Sequence, residues 1–447
     1  MLMRRIYDEV LAQASYLIGC QKTGEAIVID PVRDIDQYYA LASAHGLTIT
    51  GAVDTHIHAD YLSGLQAFAD AGVHVYASAE GGDYWQYEWL KNSQYNYTLL
   101  RADDFFTLGN IRFQALHTPG HMPEHLSYLV FDNGVDEPLA LLSGDFLFVG
   151  DLGRPDLLET AAGQIGAREP SARQLFDSTK VLKSLSPDVQ VWPAHGAGSA
   201  CGKGLGSLPS TTVGYELRHN VALQHTGSKA DFVSFILTGQ PSTPAYFGRM
   251  KTGNRNGIKV WQYHAPPQIS VVPPGSILLD VRANASGAKN IIAAPLNTGF
   301  PASAGSFMPE NASIVLVAQD SEIELAVRTL ARMGFDKIVG VLSQSSQALA
   351  APMPQASFTQ IPPGAFILDV RAPHEYDSGH ISGAVNIAHT RLLAEHTSLP
   401  KNRKIFVHCA SGARASSATG ALSAYGFDVV KVSEPLSLYT GELIGKI

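Results

Sequence analysis

A chain of 447 residues is too long for one ordinary core and implies two to four domains; with 45% hydrophobic and 16% charged residues it has the composition of a packed protein, not a disordered one. The net charge of −8, with no stretch that concentrates Lys and Arg, excludes a general binder of phosphate backbones, so nucleic acid is not an expected partner. No run approaches the roughly 18 to 20 apolar residues that span a bilayer, and Cys20, Cys201 and Cys409 are odd in number and far apart, which suits a reducing compartment. A cytoplasmic protein with no membrane partner is expected.

In chain order, Asp8 and Glu9 interrupt the apolar run that a secretion signal would need. Strand-like runs (EAIVIDP, TGAVDTH, IRFQALHTPGH, LSYLVFD, LALLSGD, VQVWPAHG) then alternate with helical ones (DQYYALASAHG, LSGLQAFADAG, SARQLFDSTKVLKSL). Several of these strands end in a residue able to bind metal: His56 and His58, His121, Asp145 and His195. In layered α/β folds sites gather at strand ends, so these residues are expected to converge on one site. His45, His74 and His219 lack that context and read as structural. Cys201 follows PAHG on a glycine-rich loop, where a thiol either carries sulfur, contacts substrate or simply packs; Cys20 reads as structural.

THIHADY, TPGHMPEHLSYL, SGDFLFVGDLGRPDL and WPAHG resemble, in order, motifs of the metallo-β-lactamase superfamily and, within it, of the persulfide dioxygenases. The resemblance covers most of residues 1–245 and implies an αββα sandwich. In dinuclear hydrolases of this superfamily one metal takes the residues matching His56, His58 and His121. The second takes those matching Asp60, position 61 and His195, with Asp145 as the bridge. Here Tyr61 stands where that histidine would be, and a phenol is a poor replacement for a neutral imidazole. A single-metal site is therefore expected. By resemblance to the persulfide dioxygenases the ion would be mononuclear Fe(II) on His56, His121 and Asp145, with His58, Asp60 and His195 around it orienting ligands and holding water. Zinc accepts the same ligands and remains the alternative. Arg154 matches an arginine of that family and would meet a carboxylate of the thiol carrier, or else form a surface ion pair.

Residues 238–258, TGQPSTPAYFGRMKTGNRNGI, have linker composition. Beyond them PPGSILLDVRA (273–283) returns as PPGAFILDVRA (362–372), identical at eight of eleven positions, and RMGFDKIVGV and AYGFDVVKV also correspond. Two α/β copies with parallel sheets follow, 258–350 and 356–447, joined by LAAPMPQASF. In the second, KIFVHCASGARASSATG and DVRAPHEYDSGHISGAVNI resemble the rhodanese signatures. A tight loop of backbone N–H groups feeding a helix N-terminus makes a positive pocket that favours a thiolate and holds an anion. Cys409 would accept sulfane sulfur there, and Arg414 would hold thiosulfate or sulfite. In the first copy Ala318 stands opposite Cys409 beside acidic residues, so that copy is expected to keep the fold without the nucleophile.

The order of parts resembles the multidomain persulfide dioxygenase-sulfurtransferases of sulfide detoxification. That resemblance implies as partners a low-molecular-weight thiol persulfide, dioxygen, and sulfite or thiosulfate. Family analogy and the inactive middle copy further imply a homo-oligomer. The nearest alternative is a zinc thioester hydrolase of the glyoxalase II kind with an appended sulfurtransferase; the third is a non-catalytic sulfur-relay or sensing protein with a structural metal.

Overall fold

The computed structural model describes residues 1–132, 134–285, 288–342 and 352–445. It separates into one unit of Met1–Thr243 with Phe247–Gln262 and another of Pro244–Tyr246 with Tyr263–Ile447.

In the first unit, strands Leu2–Asp8, Gln13–Cys20, Glu25–Ile29, Thr48–Val53, His74–Ser78 and Tyr97–Leu100 form one sheet in sequence order. The first two pairings are antiparallel and the last three parallel. A second sheet runs through Phe105–Leu108, Ile111–His117, Leu126–Asp132, Ala140–Gly144, Gln190–Pro193 and Thr211–Thr212. Leu126–Asp132 explains the layering: Leu126, Tyr128 and Val130 face the first sheet with Tyr16, Ile18, Ile27 and Val53. The alternate residues Leu129 and Phe131 face Ala172, Leu175, Phe232 and Ile236 of helices Arg168–Ser178 and Lys229–Leu237. Side chains alternate across a strand, so a run apolar at every position is a strand buried on both faces. Helices Asp36–Ala44 and Leu65–Asp70 bury Tyr38, Ala42 and Phe68 beside the first sheet, completing an αββα sandwich.

Part of the segment with linker composition is a helix, Phe247–Asn256, that belongs to this unit. It buries Phe247 and Met250, and Asn254 donates from Nδ2 to the carbonyls of His58 (2.9 Å) and Tyr61 (2.8 Å). These tertiary contacts override a composition that alone favours coil.

The second unit repeats one architecture. Strands Gln268–Ile269, Ile338–Leu342, Ile314–Val317, Ile277–Asp280 and Ile291–Ala293 lie in that order across a five-stranded sheet. Gln355–Ala356, Val429–Val432, Ile405–His408, Phe366–Asp369 and Val385–Asn386 lie in the equivalent order across another, and all pairings in both are parallel. The repeated Asp-Val-Arg is a clamp: Arg282 folds back on Asp280 and Arg371 on Asp369, each through Nε and Nη2. Residues 286–287 and 343–350 of the first copy, residue 351 between the copies and the last two of the second (446–447) lie outside the described residues.

Helix Ala413–Ala424 of the second copy is buried along most of its length because the first copy packs on it. Ser417 donates to the Ala293 carbonyl, Ser423 to Asn290 Oδ1 (2.8 Å), and the Tyr425 hydroxyl to the Phe307 carbonyl. A Cβ on Gly420 would fall 2.1 Å from the Ile291 carbonyl oxygen, which is why the helix reads ASSATGALSA, small at almost every turn.

Candidate metal centre and cysteine loop

Four strand ends deliver the candidate ligands. Thr48–Val53 leads to His56, Ile111–His117 to His121, Ala140–Gly144 to Asp145, and Gln190–Pro193 to His195; all four are buried. The ligand atoms of His56, His121 and Asp145 lie within 4.8 Å of one another, as do those of Asp60, His195 and Cys201 in a second group. A third group joins Asp30, Asp54 and His58.

Two of the imidazoles are oriented by the atom they do not offer. His56 Nδ1 lies 2.9 Å from Thr55 Oγ1, which in turn donates to Asp30 Oδ2, and His195 Nδ1 donates to the Ala12 carbonyl at 3.0 Å. The Nε2 atoms of both are left with lone pairs directed inward. Ala12 and Asp30, which supply these contacts, both adopt a φ of 51°, a left-handed conformation uncommon outside glycine. Burial, reinforced by neighbouring imidazoles, holds His56 and His121 well below the ordinary histidine range, so both are neutral. Burial opposes charge on His58 as well, but Asp30 and Asp54 outweigh it and hold that ring well above the ordinary range. Burial raises the Asp145 carboxyl to about 6, assisted by Asp60 and opposed by His195.

Asp145 stands between the first two groups, with Oδ2 3.3 Å from His121 Nε2 and Oδ1 3.4 Å from His195 Nε2. His56 Nε2, His195 Nε2, Asp60 Oδ1 and both Asp145 oxygens are buried without a hydrogen-bond partner. Buried polar atoms are paired in the great majority of cases, so this concentration of free acceptors fits a cation. Two glycines permit the approach: a Cβ at Gly153 would fall 1.8 Å from the Asp145 carbonyl oxygen, and one at Gly144 (φ 53°) would fall 2.5 Å from His125 Nε2.

Three further positions are placed by the structure. Tyr61 is fully buried with its hydroxyl 3.0 Å from His58 Nε2, and burial with nearby Asp30 and Asp54 drives its phenol well above its usual range. It is a neutral hydrogen-bonding group, as a poor replacement for imidazole should be, and Cys201, not residue 61, groups with Asp60 and His195. Arg154 is 1% exposed and forms no surface ion pair. The carboxylate it meets is the chain's own Asp156, through Nε (2.8 Å) and Nη2 (2.6 Å), while Nη1 donates to the Ala200 carbonyl (2.9 Å) beside Cys201.

Sequence reasoning passed over His125 and Asn254. His125 Nε2 accepts the backbone N–H of Asp145 at 3.0 Å, and its Nδ1 faces Thr118 Oγ1 at 2.9 Å. Burial draws that ring down to about 3, keeping it a neutral acceptor. Its place within TPGHMPEHL was the available signal; Asn254 offered none.

In the second unit Cys409 follows strand Ile405–His408, and the helix begins at Ala413, so Arg414 lies in its first turn. Gly412, at φ 95°, turns its N–H onto Cys409 Sγ at 3.1 Å. Arg414 is held by both oxygens of Glu375 (2.6 and 2.8 Å), and these hydrogen bonds bring the Glu375 carboxyl down to about 2. Its guanidinium is thus oriented but partly neutralised. In the first copy only Ala318 and Gln319 separate strand Ile314–Val317 from helix Asp320–Arg332, whose N-terminus is closed by a capping box of Gln319 and Glu322.

Comparison with known proteins agrees with this architecture. Residues 8–195 match the metallo-β-lactamase superfamily model and residues 355–434 the rhodanese-like domain model. A crystal structure of a metallo-β-lactamase from Staphylococcus aureus subsp. aureus COL is 38% identical with a TM-score of 0.69, covering 76% of this chain and 98% of that one. A probable metallo-hydrolase of Burkholderia pseudomallei (strain 1710b) is 27% identical over 52% of this chain and 84% of its own length. A hydroxyacylglutathione hydrolase of Francisella tularensis subsp. novicida is 26% identical over 38% of this chain, which spans 58% of that relative. With buried ligands at four strand ends and a cysteine loop on a separate parallel sheet, the chain belongs to the metallo-β-lactamase superfamily and carries a rhodanese-like domain in its C-terminal part.

Proposed function

We propose that the chain oxidises a low-molecular-weight thiol persulfide with dioxygen at an Fe(II) ion held by His56, His121 and Asp145, and that Cys409 carries sulfane sulfur to the resulting sulfite. The observation that supports the metal assignment is the convergence of two neutral imidazoles and one carboxylate within 4.8 Å. Two histidines and a carboxylate on one face, with further positions open, is the ligand set of non-haem iron oxygenases. Iron supplies the redox chemistry when bound: persulfide, dioxygen and water give free thiol, sulfite and two protons.

The chain's own groups prepare this site. Thr55 and the Ala12 carbonyl fix the tautomers of His56 and His195, His125 fixes the Asp145 backbone, and burial of all these groups excludes bulk water. At the second centre a persulfide gives its outer sulfur to the Cys409 thiol and leaves as free thiol. Sulfite then takes that sulfur, regenerating the thiol and forming thiosulfate. The Gly412 N–H steadies the Cys409 sulfur, and Arg414, aimed by Glu375, faces the incoming anion.

A zinc-dependent thioester hydrolase with an appended sulfurtransferase is the second reading. It is favoured by the two oxygens of Asp145 facing separate ligand groups, and by relatives named as hydroxyacylglutathione hydrolases. Oxygen uptake by protein purified and iron-loaded without air, offered glutathione persulfide, separates the two. Uptake proportional to bound iron supports the dioxygenase; no uptake, with zinc bound and acyl-thiols cleaved, replaces it with the hydrolase. His121→Ala that folds yet consumes no oxygen would mark the ion as catalytic instead of structural.

A further inference from the structure

We propose that Glu375 is a specificity-determining residue of the Cys409 site: by matching the charge of Arg414, it turns the site away from doubly charged sulfur donors such as thiosulfate and towards singly charged or neutral ones. Granted that Cys409 carries sulfur, as proposed above, thiosulfate is then a species the site releases instead of one it retains.

The charges around the thiol balance. Arg414 stands in the first turn of the helix that follows Cys409, and Glu375 takes it with both oxygens, Oε2 to Nη1 at 2.6 Å and Oε1 to Nη2 at 2.8 Å. The other groups whose charge Arg414 feels, Cys409 and Asp369, are acidic as well. A second guanidinium, Arg371, is itself paired with Asp369 at 2.6 Å. Two imidazoles could restore a positive excess, and neither does. Burial and Arg414 draw His389 down to about 4, and burial lowers His408, whose ring nitrogens have no hydrogen-bond partner. What remains for an anion is the Gly412 N–H that meets Cys409 Sγ and the start of the helix behind it.

Glu375 is also tied in place. Its Oε2 accepts the Ala372 N–H at 3.0 Å and closes the start of helix Pro373–Ser378, and the bonds from Arg414 hold its carboxyl at about 2, so it is ionised at neutral pH. A dianion that reaches this guanidinium meets a fixed negative charge together with the positive one, and such repulsion discriminates between ligands as attraction does. A donor with one charge or none loses less. The transfer itself is the same for each: the donor's sulfane sulfur bonds to Cys409 Sγ while its bond to the rest of the donor breaks. The bonding pair departs with the leaving group, as sulfite from thiosulfate or as thiolate from a persulfide, and no outside oxidant or reductant is needed.

The test compares two sulfur donors that differ by one charge, thiosulfate and methanethiosulfonate, with cyanide as acceptor and the full-length protein at neutral pH, reading thiocyanate for kcat/KM. Glu375→Gln keeps an amide oxygen that can accept from Arg414 but removes the charge. It is expected to shift the ratio of the two kcat/KM values towards thiosulfate by roughly tenfold, through a lower KM for thiosulfate. Glu375→Asp, which keeps the charge, should hold the wild-type ratio. If Glu375 only orients Arg414, Glu375→Gln weakens both donors alike, and that unmoved ratio overturns the proposal. Should Glu375→Gln fail to fold, the wild type decides, with sulfate and methanesulfonate as dead-end inhibitors. Sulfate that inhibits no more strongly than methanesulfonate supports the proposal, and sulfate that inhibits more strongly overturns it. No thiocyanate from either donor would sink the sulfur-carrier reading and this proposal with it.

Discussion

Asp145 depends on a residue that touches no ion. Its backbone N–H is fixed by His125 Nε2, and His125 is fixed by Thr118. Residues that orient ligands typically contribute 10–100-fold to metal affinity, so His125→Ala should weaken binding by roughly that factor in a chelator competition while leaving the fold intact. Arg154 acts differently: removing one member of a buried ion pair strands the other, so Arg154→Ala should cost about 3–5 kcal/mol in urea unfolding of the protein. At this scale the sequence disclosed His56, His121, Asp145 and His195, because each ends a strand within a short, distinctive motif. It did not disclose the partnership of Cys201 with Asp60, which rests on long-range contact between loops, nor the role of Asn254, a polar residue in a polar segment.

Among the elements, Leu126–Asp132 was legible as a strand because both of its faces are apolar, and the parallel sheets of the two copies followed from their repeated strand-helix alternation. Helix Phe247–Asn256 was not, since its order comes from Phe247, Met250 and Asn254 docking on the first unit. Helix Ala413–Ala424 ends at a contact that makes a pH prediction. Burial raises the Tyr425 phenol to about 12, against an ordinary value near 10, while its hydroxyl donates to the Phe307 carbonyl. The native state therefore keeps a proton that the unfolded chain releases above pH 10. The stabilisation is complete below pH 10 and is lost as pH rises towards 12. Tyr425→Phe should remove that part of the alkaline decline and lower stability at neutral pH by about 1 kcal/mol, as judged from denaturant midpoints.

Across the whole molecule, the proposed function would put two chemistries on one chain, which would raise the effective concentration of one centre's product at the other. Replacing Cys409 by serine should let oxygen uptake continue while sulfite accumulates in place of thiosulfate, measured by ion chromatography; unchanged thiosulfate would mean the centres act separately. The middle copy has a different bearing. Its strand reaches its helix through Ala318 and Gln319 alone, and the Gln319 N–H is already bonded to the Glu322 carboxylate at the start of that helix. Ala318→Cys should therefore give no sulfurtransferase activity in a thiosulfate-cyanide assay on a Cys409→Ser background. Lengthening of the loop and loss of the cap would have to occur together, so no single codon change leads back to a working site. That copy is free to vary only in ways that keep it a wall for its neighbour's helix.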